Sequence, residues 1–157
     1  MSKVRNLLIP NISVKGGTKK QRELVESMAY YCVDMLGMSK LRTLDIEIKL
    51  TKLTDAIGYC LSYDTRNFEL EISKTSSYRR MLETVAHEMV HVKQYARKEL
   101  VDQDTDGVCF LGKKITPDVE YWDKPYEIEA HGREVGLFIR WAEDNGYGNK
   151  DWAQDPL

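Results

Sequence analysis

The sequence predicts an α+β fold: an N-terminal helix, a small, mostly antiparallel sheet of three to four strands, a central helix and a C-terminal helix. Three observations carry this. Apolar residues recur at helical spacing in three stretches, they alternate with polar residues in short runs between the first two, and glycine, proline and Asn/Asp turns mark the joins. With 157 residues, 42% of them hydrophobic, and no linker, the chain fits one domain over residues 1–157.

In chain order, the N-terminal segment reads as extended. Gly16 and Gly17 then break the chain, and Thr18 followed three residues later by Gln21 forms a capping box that opens the first helix. Leu24, Met28, Cys32 and Met35 recur along it at helical spacing, and Gly37 supplies the stop. "TLDIEIKLT" sets Leu44, Ile46, Ile48 and Leu50 against Asp45, Glu47 and Lys49, the period of a strand with one buried face. "AIGYCLSYD" and "NFELEIS" follow as strands, joined into a hairpin by the turn-forming "DTRN" of residues 64–67. The second helix is expected from about Ser77 to about Lys98. Glu99 to Asp123 mixes turn residues with a small hairpin around "VCFLGKKIT". The last helix begins near Pro125, whose backbone angle suits a first helical turn, and ends before "NGYGN".

Composition excludes several classes. The 23 basic and 25 acidic residues give a formal charge of -2 with no basic tail, which argues against autonomous nucleic-acid binding and against acidic membranes. Pro10 and Asn11 interrupt the one apolar run of the N-terminus, and no stretch approaches spanning length, so a cytoplasmic protein is expected. Cys32, Cys60 and Cys109 are odd in number, widely spaced and without a CxxC pair. They read as reduced thiols, not as a disulfide frame or a cysteine-zinc site.

Within the second helix, "ETVAHEMVHVKQ" sets His87 and His91 four residues apart with Glu88 between them. At about 100° per residue, Tyr78, Met81, Leu82, Val85, Met89, Val92 and Ala96 gather on one side, and the two histidines lie nearly opposite. Residues four apart can bring two ring nitrogens to one ion. Glu88, beside the pair, can reach a water without being a ligand. HExxH arises by chance on the order of once in a few hundred chains of this length, and here two of only three histidines fall inside it. Zinc is therefore the expected cofactor.

A catalytic zinc takes three protein ligands, and "DKPYEIEAHGREVGLFIRWAE" holds the candidates for the third. On the last helix Ile128, Val135, Phe138, Ile139 and Ala142 form an apolar stripe. His131 falls within it, Glu127 lies on its flank and Glu129 points well away, which demotes Glu129. Three arrangements are open: Glu127 binds and His131 supports it, the reverse, or His131 is a buried, hydrogen-bonded histidine.

HEMVH followed some 36 residues later by "EIEAH" resembles the zincin metallopeptidases with a glutamate third ligand, the gluzincins. Several of those families place the ligand first in a Glu-x-x-Ala-(Asp/Asn) pattern. Glu127 and Ala130 match it, and His131 stands where those families have Asp or Asn. The size and element order are similar to minimal zincins of the SprT-like and ImmA/IrrE-like kind, the first of which use three histidines. "HEMVHVKQYARKEL" with "YWDKPYEIEAHGREVGL" is also similar to small metallopeptidases encoded by bacteriophages. The likeness is specific over about 30 residues and architectural over the rest.

The resemblance implies a minimal zincin fold and a Zn²⁺-dependent peptide hydrolase. His87, His91 and Glu127 would hold the ion, with His131 as alternative third ligand or as support, and Glu88 would be the general base. Tyr95, Tyr121, Trp122 and Tyr126 are near enough in sequence to stabilise an oxyanion, although packing over the cleft is the plainer reading of each. The strand before the active-site helix, Phe68 to Ser73, would be the sheet edge that pairs with an extended substrate. A peptide or protein substrate is the expected partner, met in the host cytoplasm if the chain is phage-encoded. Glu69, Glu71, Arg79 and Arg80 read as solvated surface. Asp102, Asp104 and Asp106 read as an acidic turn, because Lys113 stands where a calcium loop needs its glutamate. The alternative is a regulatory or catalytically inactive zinc-binding interaction protein that keeps a zincin shell. An intact Glu88 argues against it, since a structural site prefers a fourth protein ligand.

Overall fold

Strand β1 (Asn11–Gly16) stops at Gly16 and Gly17, both at positive φ, and helix α1 (Lys19–Met35) starts from the expected capping box. The Gln21 amide donates to Thr18 Oγ1 and the Thr18 amide donates to Gln21 Oε1. The computed structural model describes residues 10–154, so the extended reading of residues 1–9 lies outside the described residues. Leu24, Met28 and Cys32 are buried along α1, and Gly37, at φ 73°, ends it; Met35, the last of the expected stripe, is exposed.

Strands β2 (Asp45–Thr51), β3 (Gly58–Ser62) and β4 (Asn67–Ser73) follow. Asp64 closes the β3–β4 hairpin by accepting the amides of Arg66 and Asn67. Helix α2 (Tyr78–Ala96) is capped by Ser77, whose hydroxyl accepts from the Arg80 amide. Three short strands, β5 (Leu100–Asp102), β6 (Val108–Phe110) and β7 (Lys113–Ile115), precede helix α3 (Pro125–Asp144), whose first turn holds Pro125.

The fold is α+β, as expected, with a four-stranded sheet ordered β1-β2-β4-β3 and a second sheet ordered β5-β6-β7. Strand direction departs from the mostly antiparallel expectation. β1 pairs with β2 and β2 with β4 in parallel, and only the β3–β4 pair of the larger sheet is antiparallel. Alternating burial reports that one face is covered and is silent on direction. Here α1 carries the chain back so that β1 and β2 run the same way, which a parallel pair requires. The hairpin then sets β3 outside β4. This corrects the expected substrate edge: Phe68 to Ser73 is paired on both sides, and the sheet edge beside α2 is β3.

Ile12, Ile46, Ile48, Leu50, Phe68, Leu70 and Ile72 join α1 and α2 in one core. The opposite face of the sheet carries the pairs Lys15–Glu47 and Lys49–Glu69, at 2.5 and 3.1 Å. α2 is buried from Met81 through Gln94, because α3 covers the side turned from the sheet. His87 and His91 therefore face a second layer and not open solvent.

α3 is rotated relative to the expected stripe. Ile128, Val135 and Ile139 are 55%, 41% and 40% exposed, whereas Ala130, Phe138, Trp141 and Ala142 are buried. This rotation turns Glu127, His131 and Glu134 toward α2, where charge-assisted hydrogen bonds worth about 1.5–3 kcal/mol each offset the aliphatic burial forgone. Arg79 also corrects its surface reading. Its Nε donates to Glu83 at 2.9 Å and another guanidinium nitrogen donates to the Ala153 carbonyl at 2.8 Å, which ties the C-terminal 3-10 turn (Asp151–Ala153) to α2. No helix among the described residues is long and apolar enough to cross a membrane.

Candidate metal centre

α2 presents His87, His91 and Gln94 at positions i, i+4 and i+7, and α3 answers with Glu127, His131 and Glu134 at the same spacing. Glu127 Oε1 lies 3.0 Å from His87 Nε2 and 3.2 Å from His91 Nε2. The ligand atoms of these three residues fall within 4.8 Å of one another. Around a tetrahedral zinc with bonds of about 2.0–2.2 Å, donors stand roughly 3.3 Å apart, so the set fits such an ion with little adjustment.

The remaining ring nitrogens fix the tautomers. His87 Nδ1 lies 2.7 Å from Glu134 Oε1, a carboxylate that can only accept, so Nδ1 carries a proton. The Gln94 amide nitrogen donates to the Tyr126 carbonyl and to Glu129, leaving its oxygen to accept from His91 Nδ1 at 2.8 Å. Both Nε2 atoms thus aim at one anionic oxygen. Neutral rings would set two lone pairs against that oxygen, and a cation must lie between them, either ring protons or a metal ion.

Electrostatics in the metal-free chain show the protons taking that place. Burial acts to lower the His87 pKa, but hydrogen bonds to Glu127 and Glu134 and the charge of Glu88 outweigh it and raise it from 6.5 to about 9. His91 is also raised, against its burial, by Glu127 and Glu88. Burial likewise opposes ionisation of Glu127, yet its hydrogen bonds from the two histidines hold the carboxyl well below the usual carboxylate range. Glu88 differs: burial pushes its carboxyl up, only partly countered by the histidines.

The His131 ring packs on that of His87, with centroids 4.4 Å apart, but its nitrogens are engaged elsewhere. Its Nδ1 lies 3.1 Å from Glu134 Oε1 and its Nε2 lies 2.9 Å from the Tyr121 hydroxyl, so Glu127 and not His131 meets the HExxH pair. A second grouping, His87, His131 and Glu134, also has metal-ligand spacing and shares His87 with the first, but Glu134 Oε1 already accepts from His87 Nδ1. Glu129 stands outside the converging ligand atoms but also faces α2, accepting from Lys93, Gln94 and Arg133, and through Gln94 it supports His91.

A cleft of about 520 Å³ opens over these groups, walled by β3, α2 and α3. Of the four aromatic candidates, Tyr95, Tyr121 and Tyr126 line it. Trp122 lies against the His131 ring with centroids 4.7 Å apart and is largely exposed. The Tyr121 hydroxyl donates to Glu127 Oε1 at 3.0 Å, and its pKa is raised, first by burial and then by that carboxylate, so it stays a donor. Gly58 on β3 passes directly over the site: a Cβ there would stand 2.6 Å from Thr84 Cγ2 and 3.1 Å from Glu88 Oε2.

Glu134, Gln94 and Gly58 are the residues that sequence reasoning misses. The first two carried a signal, because each continues a helical face one turn beyond the named ligands. Gly58 carried none, since the need for it arises only where β3 crosses α2. No family model, curated protein or solved structure matches the chain.

Proposed function

We propose that the protein is a zinc-dependent metallopeptidase in which His87, His91 and Glu127 hold the ion and Glu88 is the general base. The single observation that carries this is the convergence of both Nε2 atoms on Glu127 Oε1, at 3.0 and 3.2 Å, in a cleft that Glu88 also lines. When bound, the ion supplies Lewis acidity, which acidifies a water and polarises a carbonyl. Glu88 takes the proton of that water. Its buried, up-shifted carboxyl is a stronger base than a solvated one and can return the proton to the leaving amine. Tyr121, which lines the cleft, can turn its one hydroxyl proton from Glu127 to the oxyanion of the substrate carbonyl. β3, paired only to β4 among the described residues, offers its outer backbone edge to an extended peptide.

The test is Glu88→Gln. It should keep stoichiometric zinc by elemental analysis and lose peptide hydrolysis by at least about 10²-fold. Unchanged turnover would remove Glu88 from the mechanism. Full zinc with no hydrolysis by the parent, over a broad peptide mixture, would instead favour the zinc-binding interaction protein.

A further inference from the structure

The cleft differs chemically at its two ends. Arg80, Thr84, His87, Glu88, His91 and Tyr95 lie along one face of α2, and the helix from Arg80 to Tyr95 spans about 22 Å. At the Tyr95 end, Leu100 of β5 and Tyr126 of α3 close the cleft, backed by the small core of Leu100, Phe110 and Ile115. At the other end stands Arg80, the one lysine or arginine lining the cleft among the described residues. Its side chain is 57% exposed, and its nearest acid, Glu83, is 3.9 Å away and already held by Arg79 at 2.9 Å. A guanidinium facing a cleft without a bidentate partner has its donor fork free to take a carboxylate.

Resting on the metallopeptidase reading, we propose that the substrates are peptides carrying a carboxylate that docks on Arg80. On the other side of the scissile bond they carry a large apolar side chain seated against Tyr95, Leu100 and Tyr126. Arg80 lies about 13 Å along the helix from the midpoint of His87 and His91, and its side chain covers part of that distance. At about 3.3 Å per extended residue, the carboxylate falls about two to four positions from the cleaved bond. An Asp or Glu side chain, or a peptide C-terminus, can supply it.

The experiment uses the zinc-loaded full chain and matched peptides, with cleavage sites read by mass spectrometry. One pair differs by Glu against Gln two to four positions from the cleaved bond, another by a free against an amidated C-terminus, and a third by Leu against Ala on the opposite side. The Glu or free-acid peptide should show kcat/KM about five- to tenfold above its neutral partner, a modest factor because Arg80 is half exposed. Arg80→Ala should bring that ratio to one and Arg80→Glu should invert it, both with zinc content equal to the parent. A preference confined to free acids assigns the C-terminus as the source, and one retained in amidated peptides assigns the side chain. Cleavage with no acid preference, or a preference that survives Arg80→Ala, overturns the proposal and leaves the enzyme reading standing. If nothing is cleaved, that reading fails, and anisotropy of the same labelled peptides on the zinc-loaded chain decides the role of Arg80: a matching ratio in Kd supports it, and equal Kd values overturn it.

Discussion

Glu134 does for His87 what Gln94 does for His91, but with a charge. A carboxylate 2.7 Å from Nδ1 orients the ring and makes Nε2 more basic toward a cation, whereas the Gln94 amide only orients it. Glu134→Ala should therefore weaken zinc binding by about 10- to 100-fold, and Glu134→Gln by less, as measured by chelator competition. Glu127→Ala should empty the site, and His131→Ala should leave it filled. Zinc retained by Glu127→Ala but lost by His131→Ala would make His131 the third ligand. At this scale HExxH was legible because four-residue spacing alone defines it. The choice between Glu127 and His131 was not, since both share a helix face and the decision depends on which nitrogens Glu134 and Tyr121 occupy.

Among the elements, boundaries were legible where local chemistry sets them, as with the Thr18 box, the Asp64 turn and Pro125. Strand direction and the rotation of α3 depend on partners distant in sequence. Alternation cannot reveal the first, and the most apolar side of a helix need not be its buried side when the other side binds buried imidazoles. Two substitutions test the elements. The β6–β7 hairpin turns through Leu111 and Gly112 at φ 51° and 82°, a two-residue loop with both positions left-handed, where Asn-Gly is favoured and an exposed leucine is strained. Leu111→Asn should raise stability by about 1 kcal/mol in denaturant melts, with no change in zinc content. Gly58→Ala should do the reverse, costing about 1–3 kcal/mol and lowering turnover, because its methyl group meets Thr84 and Glu88.

For the whole molecule, the same cluster that can hold a metal makes the metal-free fold sensitive to pH. His87 has a folded pKa raised from 6.5 to about 9, and His91 is raised as well, so the stability they contribute is fully present below about pH 6.5. It is lost as pH rises through about 9. Glu127 acts on the acid side: its lowered pKa contributes stability above its ordinary 4.5 that is lost as pH falls toward the folded value. Glu88, raised by burial, adds a further loss above 4.5. The metal-free chain should therefore melt at progressively lower temperature from pH 6.5 to 9, and Glu127→Gln should flatten that slope by removing the anion that raises both histidines. Zinc acts against that loss. It competes with the protons on Nε2, so its affinity should rise across the same interval and release protons on binding, which a comparison of calorimetry in two buffers would count. At about a thousandfold excess over Kd, the ion should add about 4 kcal/mol of stability, and because the histidines are then neutral in both the folded and the unfolded chain above about pH 6.5, the falling alkaline limb should flatten. A metal-free slope that persists unchanged in zinc would mean that the ion does not sit between His87, His91 and Glu127.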